Sequence, residues 1–454
     1  MAGKDKTIYV CSECGYEAAK WSGQCLSCGA WNTMNEEFRA AGKAGYTAAK
    51  TSARAAKPHK LGDIDPKNET RYLTGLGELD RVLGGGIVRG GLMLIGGDPG
   101  IGKSTLLLQI CGHLAQTMQV LYVSGEESER QIKLRADRLG VAGENLSILC
   151  ETDVETILDT VQVEKPDLLI IDSIQTMNFA QVASSPGSVT QVRESTNMIM
   201  RAAKQADLPV FIVGHVNKDG AIAGPKVMEH IVDCVMYFEG DRHTSYRIPR
   251  CIKNRYGATN EIGVFEMRDQ GLCEVENPSL MLLSGRPLNV SGTCVACTME
   301  GSRPLLAEVQ GLISPTGFGN PRRMSTGFDY NRLSLLLAVL EKRAGYFFSN
   351  LDAYLNVIGG LHLDEPAADL PVALSLVSSL KDTPVSEGVV AFGEIGLAGE
   401  IRAVSNADQR VAEAARLGFT KILVPHHNLK SLTPRQDIEV IGVRTVREAY
   451  EAIS

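Results

Sequence analysis

The chain has no uninterrupted apolar run approaching the roughly 18 residues that a membrane helix needs. Met1 to Val10 carry lysines but no apolar stretch of secretory type, so the expected compartment is the cytoplasm, with no membrane partner. Positive charge is not in excess: 46 Lys and Arg against 53 Asp and Glu give a formal net charge of −7. That excludes a uniformly basic coat for nucleic acid. It leaves open a basic stripe inside an acidic ring or filament, so a DNA-binding reading has to name local patches. A disulfide framework is also disfavoured, because eleven cysteines is an odd number and cytosolic thiols stay reduced. No short tandem repeat is present.

What is there is length enough, at 454 residues, for two to four domains of roughly 100–200 residues each. The pattern divides it into 1–34, a compact cysteine-bearing module; 35–62, an Ala-, Gly- and Lys-rich linker; 63–278; and 279–454. The linker cations Arg39, Lys43, Lys50, Arg54, Lys57 and Lys60 read as a solvated tether that can also touch phosphates. In the third segment, apolar runs of strand length recur at Leu92–Ile95, Val120–Val123, Leu168–Ile171, Val210–Val213 and Val232–Phe238. Helical stretches such as Ser104–Leu114 and Val189–Gln205 lie between the early ones. The predicted fold class is therefore α/β, a mostly parallel sheet covered by helices, with ligands at the carboxyl ends of the strands. The last segment reads as a second α/β domain, with helices expected at Arg332–Arg343, Leu370–Ser379 and Ala407–Leu417. Its strands are expected at Ala353–Ile358 and Lys421–Val424, with a β-rich patch at Val389–Ile401.

The sharpest motif is Gly97-Asp98-Pro99-Gly100-Ile101-Gly102-Lys103-Ser104, a complete G-x-x-x-x-G-K-[ST] loop between a strand and a helix that continues through Thr105. Glycines let backbone N–H groups curl around an anion, and the helix N-terminus adds positive partial charge. Lys103 is expected on the β- and γ-phosphates of ATP and the Ser104 hydroxyl on Mg²⁺. Leu168-Leu-Ile-Ile-Asp172 is a buried apolar strand ending in a carboxylate, the Walker B arrangement, which gives Asp172 a place in the Mg²⁺ shell. After the strand Val120–Val123, Ser124-Gly-Glu-Glu-Ser128 offers Glu126, or second Glu127, to polarise the attacking water. The plainer reading is that both acids begin a helix, where they suit its dipole.

Cys11-x-x-Cys14 and Cys25-x-x-Cys28 are two knuckles with a short spacer, the signature of one tetrahedral Zn²⁺ with all four positions filled by protein. Such a site is structural. Gly15 and Gly29 suit the knuckle turns, and Trp21 in the spacer is an aromatic able to cover the site. Cys111, Cys150, Cys234, Cys251 and Cys273 are scattered and read as small core residues. Cys294-Val-Ala-Cys297, a lone pair in a strand-like stretch, reads the same way.

Thr74-Gly-Leu-Gly-Glu-Leu-Asp80, Leu83-Gly-Gly-Gly86 and the phosphate loop together resemble the opening of RecA-type recombinases and their relatives. Lys253-Asn-Arg-Tyr-Gly257 is similar to the K-N-R-F-G motif of the bacterial RadA (Sms) family of DNA-repair proteins, with Tyr256 where Phe is usual. The order zinc finger, RecA-type core, Lon-protease-like domain also belongs to that family. The resemblance implies a RecA-like P-loop core and a DNA-dependent ATPase. It implies a homo-hexameric ring on single-stranded and branched DNA that promotes branch migration, with recombinase RecA as a partner. Lys253 and Arg255 would then act at a subunit boundary on a neighbour's nucleotide. By similarity to RecA, DNA would meet two loops, Gln175–Ser188 with its flexible Ser184–Ser188 stretch, and the segment after Val213-Gly-His-Val216 with Lys218, Gly220, Gly224 and Lys226. His215 would either couple nucleotide state to the second or simply close a strand.

The C-terminal domain resembles the Lon protease domain through Glu365-Pro-Ala-Ala-Asp369 and Gly393-Glu-Ile-Gly-Leu-Ala-Gly399. Ala367 stands where Lon proteases carry the nucleophilic Ser and Asp408 where they carry the Lys base, so peptidase activity is not expected. Arg322, Arg323 and Lys342 are candidate DNA contacts there. Two competing readings are an ATP-dependent protease, opposed by those two residues, and a nucleotide-switched scaffold of the KaiC type, which stimulation of the ATPase by DNA would distinguish.

Overall fold

A computed structural model describes residues 6–12, 16–39, 71–215, 226–240, 246–259, 261–317 and 319–453. The chain forms two compact units that divide after Glu274, four residues before the expected boundary, because the helix that opens at Pro278 packs within the second unit.

The first unit begins with a three-stranded antiparallel ribbon, β1 (Lys6–Cys11), β2 (Glu17–Ala18) and β3 (Met34–Arg39), in the order β2-β1-β3. Strand β3 pairs with β1 along its whole length, up to Lys6 with Arg39. The ribbon therefore continues five residues into the stretch expected as linker. The ladder supplies the backbone partners that a free tether would have sought in water.

The rest of the unit runs β4 (Arg71–Tyr72), α1 (Gly77–Val82), β5 (Ile87–Val88), β6 (Leu92–Gly97), α2 (Lys103–Leu114), β7 (Val120–Ser124), α3 (Glu129–Arg138) and β8 (Leu146–Cys150). It continues α4 (Val154–Glu164), β9 (Leu168–Asp172), α5 (Val189–Ala206), β10 (Val210–His215), α6 (Lys226–Glu229), β11 (Cys234–Glu239), β12 (Tyr246–Asn254), β13 (Phe265–Arg268) and β14 (Gly271–Glu274). Among the described residues, nine strands make one sheet in the order β14-β13-β12-β11-β6-β10-β9-β7-β8. The pairs from β8 through to β11 are parallel, and those from β11 to β14 antiparallel.

The period of two along each strand splits its side chains between two apolar layers. Met93 and Ile95 of β6 and Val120 and Tyr122 of β7 belong to the layer that holds Leu106 and Ile110 of α2 and Ile132 of α3. Leu92, Leu94, Leu121 and Val123 belong to the other, with Ile157 of α4 and Val192 and Ile199 of α5. Val10 of the metal ribbon is fully buried in this second layer, with Ile8 packed against it, and Arg193 of α5 pairs with Glu17 of β2 at 3.0 Å. The ribbon is thus seated on the helices that cover the nine-stranded sheet. Cys150, expected in the core, is exposed at the end of β8, the outermost parallel strand.

The second unit comprises α7 (Pro278–Leu282), β15 (Thr293–Glu300), β16 (Arg303–Pro315), β17 (Arg323–Thr326), α8 (Tyr330–Val339), β18 (Leu351–Val357), α9 (Asp369–Lys381) and β19 (Val389–Ala391). After these come β20 (Glu394–Ile395), β21 (Ile401–Arg402), α10 (Ala407–Arg416), β22 (Lys421–Pro425), β23 (Glu439–Val443) and α11 (Val446–Glu451). Seven of these strands form a mixed sheet, β17-β18-β16-β15-β19-β22-β23, around the buried helix α9. Cys294 and Cys297 are buried core residues of β15, and burial pushes both thiols up to about 12, as suits inert cysteines.

Candidate nucleotide-binding site

The phosphate loop follows β6 at the carboxyl edge of the parallel strands and turns into α2. Gly102 caps that helix at φ +117, a conformation that side-chain-bearing residues avoid, and a Cβ there would sit 2.8 Å from Met267 Cε. A buried guanidinium, absent from the sequence-based expectations, braces the loop: Arg247 of β12 donates from Nε to the Ile101 carbonyl at 2.9 Å.

Lys103 is almost fully buried, and its Nζ donates to the carbonyls of Gly97 at 2.7 Å and Asp98 at 2.9 Å. Burial lowers its pKa to about 8, against the opposing pull of Asp172, Asp98 and Glu126. Ser104 and Thr105 follow in the first turn of α2, partly exposed. Asp172 ends β9 at 7 % exposure. Its Oδ2 accepts from the Tyr122 hydroxyl at 2.5 Å.

The structure separates the two glutamates after β7. Glu127 turns to α3 and pairs with Arg135. Glu126 turns to the site: Oε1 accepts from the Ser173 hydroxyl and lies 3.1 Å from His215 Nε2. Those contacts require the loop after β7 to pass very close to the turn after β9. Gly125 makes the approach possible, since a Cβ there would lie 2.1 Å from Thr176 Oγ1. The hydrogen bond to His215 is the largest influence on Glu126 and draws its pKa down to about 2; Ser173 and Lys103 assist and burial opposes. Glu126 is therefore ionised at neutral pH.

Lys253 and Arg255 do not join this cluster in their own chain. Lys253 of β12 pairs in register with Val235, which pairs with Leu94, three residues or about 10 Å before Gly97. Its Nζ donates to the carbonyls of Glu229 and, at 2.8 Å, Val232. Arg255 pairs with the buried Asp233 at 2.9 Å, at the end of the sheet away from the phosphate loop, with its side chain 55 % exposed.

The first expected DNA loop is folded against the core, contrary to its flexible composition. The buried amide of Gln191, on the inner face of α5, lies within 2.9–3.3 Å of acceptors on Asn178, Phe179, Val182 and Ser184. Its oxygen accepts from the Phe179 N–H at 3.0 Å. One buried polar residue thus straps down a whole segment; the only sequence signal was a glutamine beside Val189 and Val192 on the buried helix face. Lys218, Gly220 and Gly224 of the second loop lie outside the described residues, as do Lys43, Lys50, Arg54, Lys57 and Lys60. Of the C-terminal candidates, Arg323 spends its guanidinium on main-chain carbonyls, Phe348 at 2.9 Å and also Leu351, so it is a structural residue.

In the ribbon, the sulfurs of Cys11, Cys25 and Cys28 lie within 4.8 Å of one another, and Cys14 lies outside the described residues. Cys11 Sγ and Cys28 Sγ are 3.7 Å apart, matching the roughly 3.8 Å between two thiolates on one tetrahedral zinc with bonds of about 2.3 Å. The Ser27 N–H points at Cys25 Sγ at 3.4 Å, the hydrogen bond that steadies a metal-bound thiolate. Trp21 does not cover the site: it is 58 % exposed and stands with Trp31 around Gly23.

A complete phosphate loop, a strand-end aspartate and an ionised glutamate at the carboxyl edge of a parallel sheet define a P-loop ATPase of RecA-like fold, carried behind a metal-binding ribbon. The AAA domain family model matches residues 66–221, the rubredoxin metal binding domain residues 9–36, and subunit ChlI of Mg-chelatase residues 339–428, in the unit expected to be Lon-like. DNA repair protein RadA of Halalkalibacterium halodurans is 55% identical over 450 residues, covering 99% of this chain and 98% of its own. DNA repair protein RadA of Bacillus subtilis is 53% identical over 449 residues, 98% of each. The chain belongs to the RadA family of DNA repair proteins. A KaiC-like protein from Pyrococcus horikoshii OT3 aligns at a TM-score of 0.38 and 18% identity over 46% of this chain and 99% of its own, too distant to bear on function. Among the described residues no helix is long and apolar enough to cross a membrane.

Proposed function

We propose that this protein is a DNA-dependent ATPase of recombination and repair, binding single-stranded and branched DNA and driving branch migration as a homo-hexamer that works with recombinase RecA. One observation carries the reading beyond nucleotide binding. Glu126, the carboxylate beside the phosphate loop, is hydrogen-bonded to His215, the last residue of β10, and the second expected DNA loop follows one residue later in sequence, after Val216. A change at the γ-phosphate that drew Glu126 away would release His215 and the start of that loop.

In this reading the backbone of Gly97, Asp98, Pro99, Gly100, Ile101 and Gly102, with Lys103, Ser104 and Thr105, holds the phosphates of ATP. Ser104 and Asp172 would hold Mg²⁺, which neutralises phosphate charge when bound. Glu126 orients water, and Glu127, already paired with Arg135, is the weaker candidate. With a pKa near 2, Glu126 serves as an acceptor that aligns water more than as a strong base. Lys253 and Arg255 lie too far along their own sheet to reach the phosphate loop, so they would serve a neighbouring protomer's nucleotide.

The ribbon would bind Zn²⁺ through Cys11, Cys14, Cys25 and Cys28. Cys25→Ser should bind less than a fifth as much zinc as wild type by elemental analysis; full metal content in that variant would remove the four-thiolate site. The C-terminal unit would lack peptidase activity. Ala367 has no nucleophile, and the Asp408 carboxylate is engaged by the Thr433 N–H at 2.8 Å.

The experiment is ATP turnover by the full chain with and without single-stranded DNA, at several salt concentrations. Turnover should rise severalfold with DNA, and the rise should shrink as salt increases. The same preparation should leave casein intact. No response to DNA at any salt would favour the nucleotide-switched scaffold, and casein cleavage would favour the protease.

A further inference from the structure

We infer that Tyr122 is a positioning residue for ATP hydrolysis: its buried hydroxyl holds one oxygen of the Asp172 carboxylate and so fixes the other for the metal of the magnesium–nucleotide complex. The inference rests on the reading of Asp172 as a metal-holding carboxylate. It adds a residue that neither the motifs nor the phosphate loop point to.

Strands β7 and β9 are parallel neighbours, with Tyr122 beside Ile170 and Ser124 beside Asp172. Tyr122 is 1% exposed, and its ring is packed in the apolar layer under α2 and α3. Phenylalanine would fill that space as well. A hydroxyl there gives up its hydration, which costs stability unless a partner restores the hydrogen bond. The partner is Asp172 Oδ2, 2.5 Å away, the short distance of an O–H donor on a charged acceptor. Among the described residues nothing donates to the other oxygen, Oδ1.

Two physical consequences follow. A carboxylate at a strand end turns freely about its last bond, and pinning one oxygen removes that freedom before the metal arrives. The pin is also neutral. A lysine or arginine in its place would bring a positive charge of its own to the metal site, whereas a phenol brings none.

The test is Tyr122→Phe in the full chain, with Asp172→Asn beside it. Mn²⁺ binding in the presence of ADP is read by electron paramagnetic resonance, ADP affinity in EDTA by fluorescence, and turnover against Mg²⁺ concentration. Asp172→Asn should lose Mn²⁺ affinity. Tyr122→Phe should lose about 10-fold, as expected for removing an outer-shell partner of a metal ligand. Its ADP affinity in EDTA should be unchanged, and its turnover should return to within about twofold of wild type at saturating Mg²⁺. Wild-type Mn²⁺ affinity in Tyr122→Phe, with Asp172→Asn impaired, would overturn the inference alone. An equal loss of ADP affinity in EDTA would overturn it too, by making Tyr122 a packing residue. Wild-type Mn²⁺ affinity in Asp172→Asn would remove the reading beneath it.

Discussion

Lys103→Ala should lower ATP turnover by roughly 10²–10³-fold, the scale for removing one preorganised charge from developing negative charge. In the structure the ammonium is held at the mouth of the loop by the Gly97 and Asp98 carbonyls, 2.7 and 2.9 Å away. A bound phosphate offers full negative charge in place of two carbonyl dipoles, so exchange of partners is favoured. The pKa near 8 adds a signature that a mere packing role would lack. Below pH 8 the lysine carries its proton and attracts the nucleotide; above it the proton is lost and attraction falls. Wild-type ATP affinity should therefore decline as pH rises through 8. Binding above that pH should take up a proton, because the phosphates restore the charged form. Calorimetry in two buffers of different ionisation enthalpy measures that uptake directly. In Lys103→Arg the guanidinium stays charged, and whatever affinity remains should be level across the same window. A wild-type affinity unchanged from pH 7 to 9.5 would count against the buried, partly neutralised lysine.

Arg410→Ala should destabilise the C-terminal unit by roughly 3–5 kcal/mol, the usual cost of breaking a buried ion pair from one side. Arg410 is completely buried on α10, where its guanidinium pairs with Glu365, donates to the Cys297 carbonyl at 2.7 Å and the Ser405 carbonyl at 3.1 Å, and lies over the Phe392 ring. Glu365 also accepts from the Thr298 hydroxyl at 3.1 Å and the Met299 N–H at 2.8 Å. Truncation leaves a hole in the core and takes the charged partner from a half-buried carboxylate that keeps only two neutral donors. The double variant Arg410→Met/Glu365→Gln removes both charges and keeps the volume, so it should recover much of the loss. Urea unfolding followed by far-ultraviolet circular dichroism reports both. Equal stability of Arg410→Ala and wild type would show that the pair is open to solvent.

This pair also bears on what was legible in the sequence. Glu365-Pro-Ala-Ala-Asp369 identifies the Lon-like unit, yet both of its acids serve architecture. Glu365 meets Arg410, and the fully buried Asp369 meets Arg332 at 2.9 Å and the Ile395 N–H at 2.9 Å. Their partners lie 45 and 37 residues away, and no local spacing announces them. The phosphate loop was legible because its chemistry is contiguous: glycine, lysine and serine act from one turn. The central strands were legible because burial on both faces leaves an unbroken apolar run. Edge strand β8 was not, since none of its residues is fully buried and the exposed Ser147 breaks its apolar run. Strands β13, β14 and β16 also went undelimited, because antiparallel neighbours tolerate mixed composition, although the stretch at Cys294–Cys297 in β15 reads as strand. Within the site, Glu126 and Glu127 are equivalent in sequence. They part only when Arg135 claims one and His215 the other. Tyr122 and Arg247 were invisible for the same reason: each acts through a partner brought in by the sheet.

The seating of β1 bears on how this molecule is dissected. Val10 and Ile8 fill the same apolar layer as Val154, Val189 and Val192, and Arg193 reaches out to Glu17. A truncation that begins at the phosphate-loop domain would strip that cover and leave a greasy strip along α4 and α5 open to water. Aggregation, or sluggish behaviour, in such a fragment would report the wound left by cutting and would say nothing of what the thiol-rich module contributes when intact.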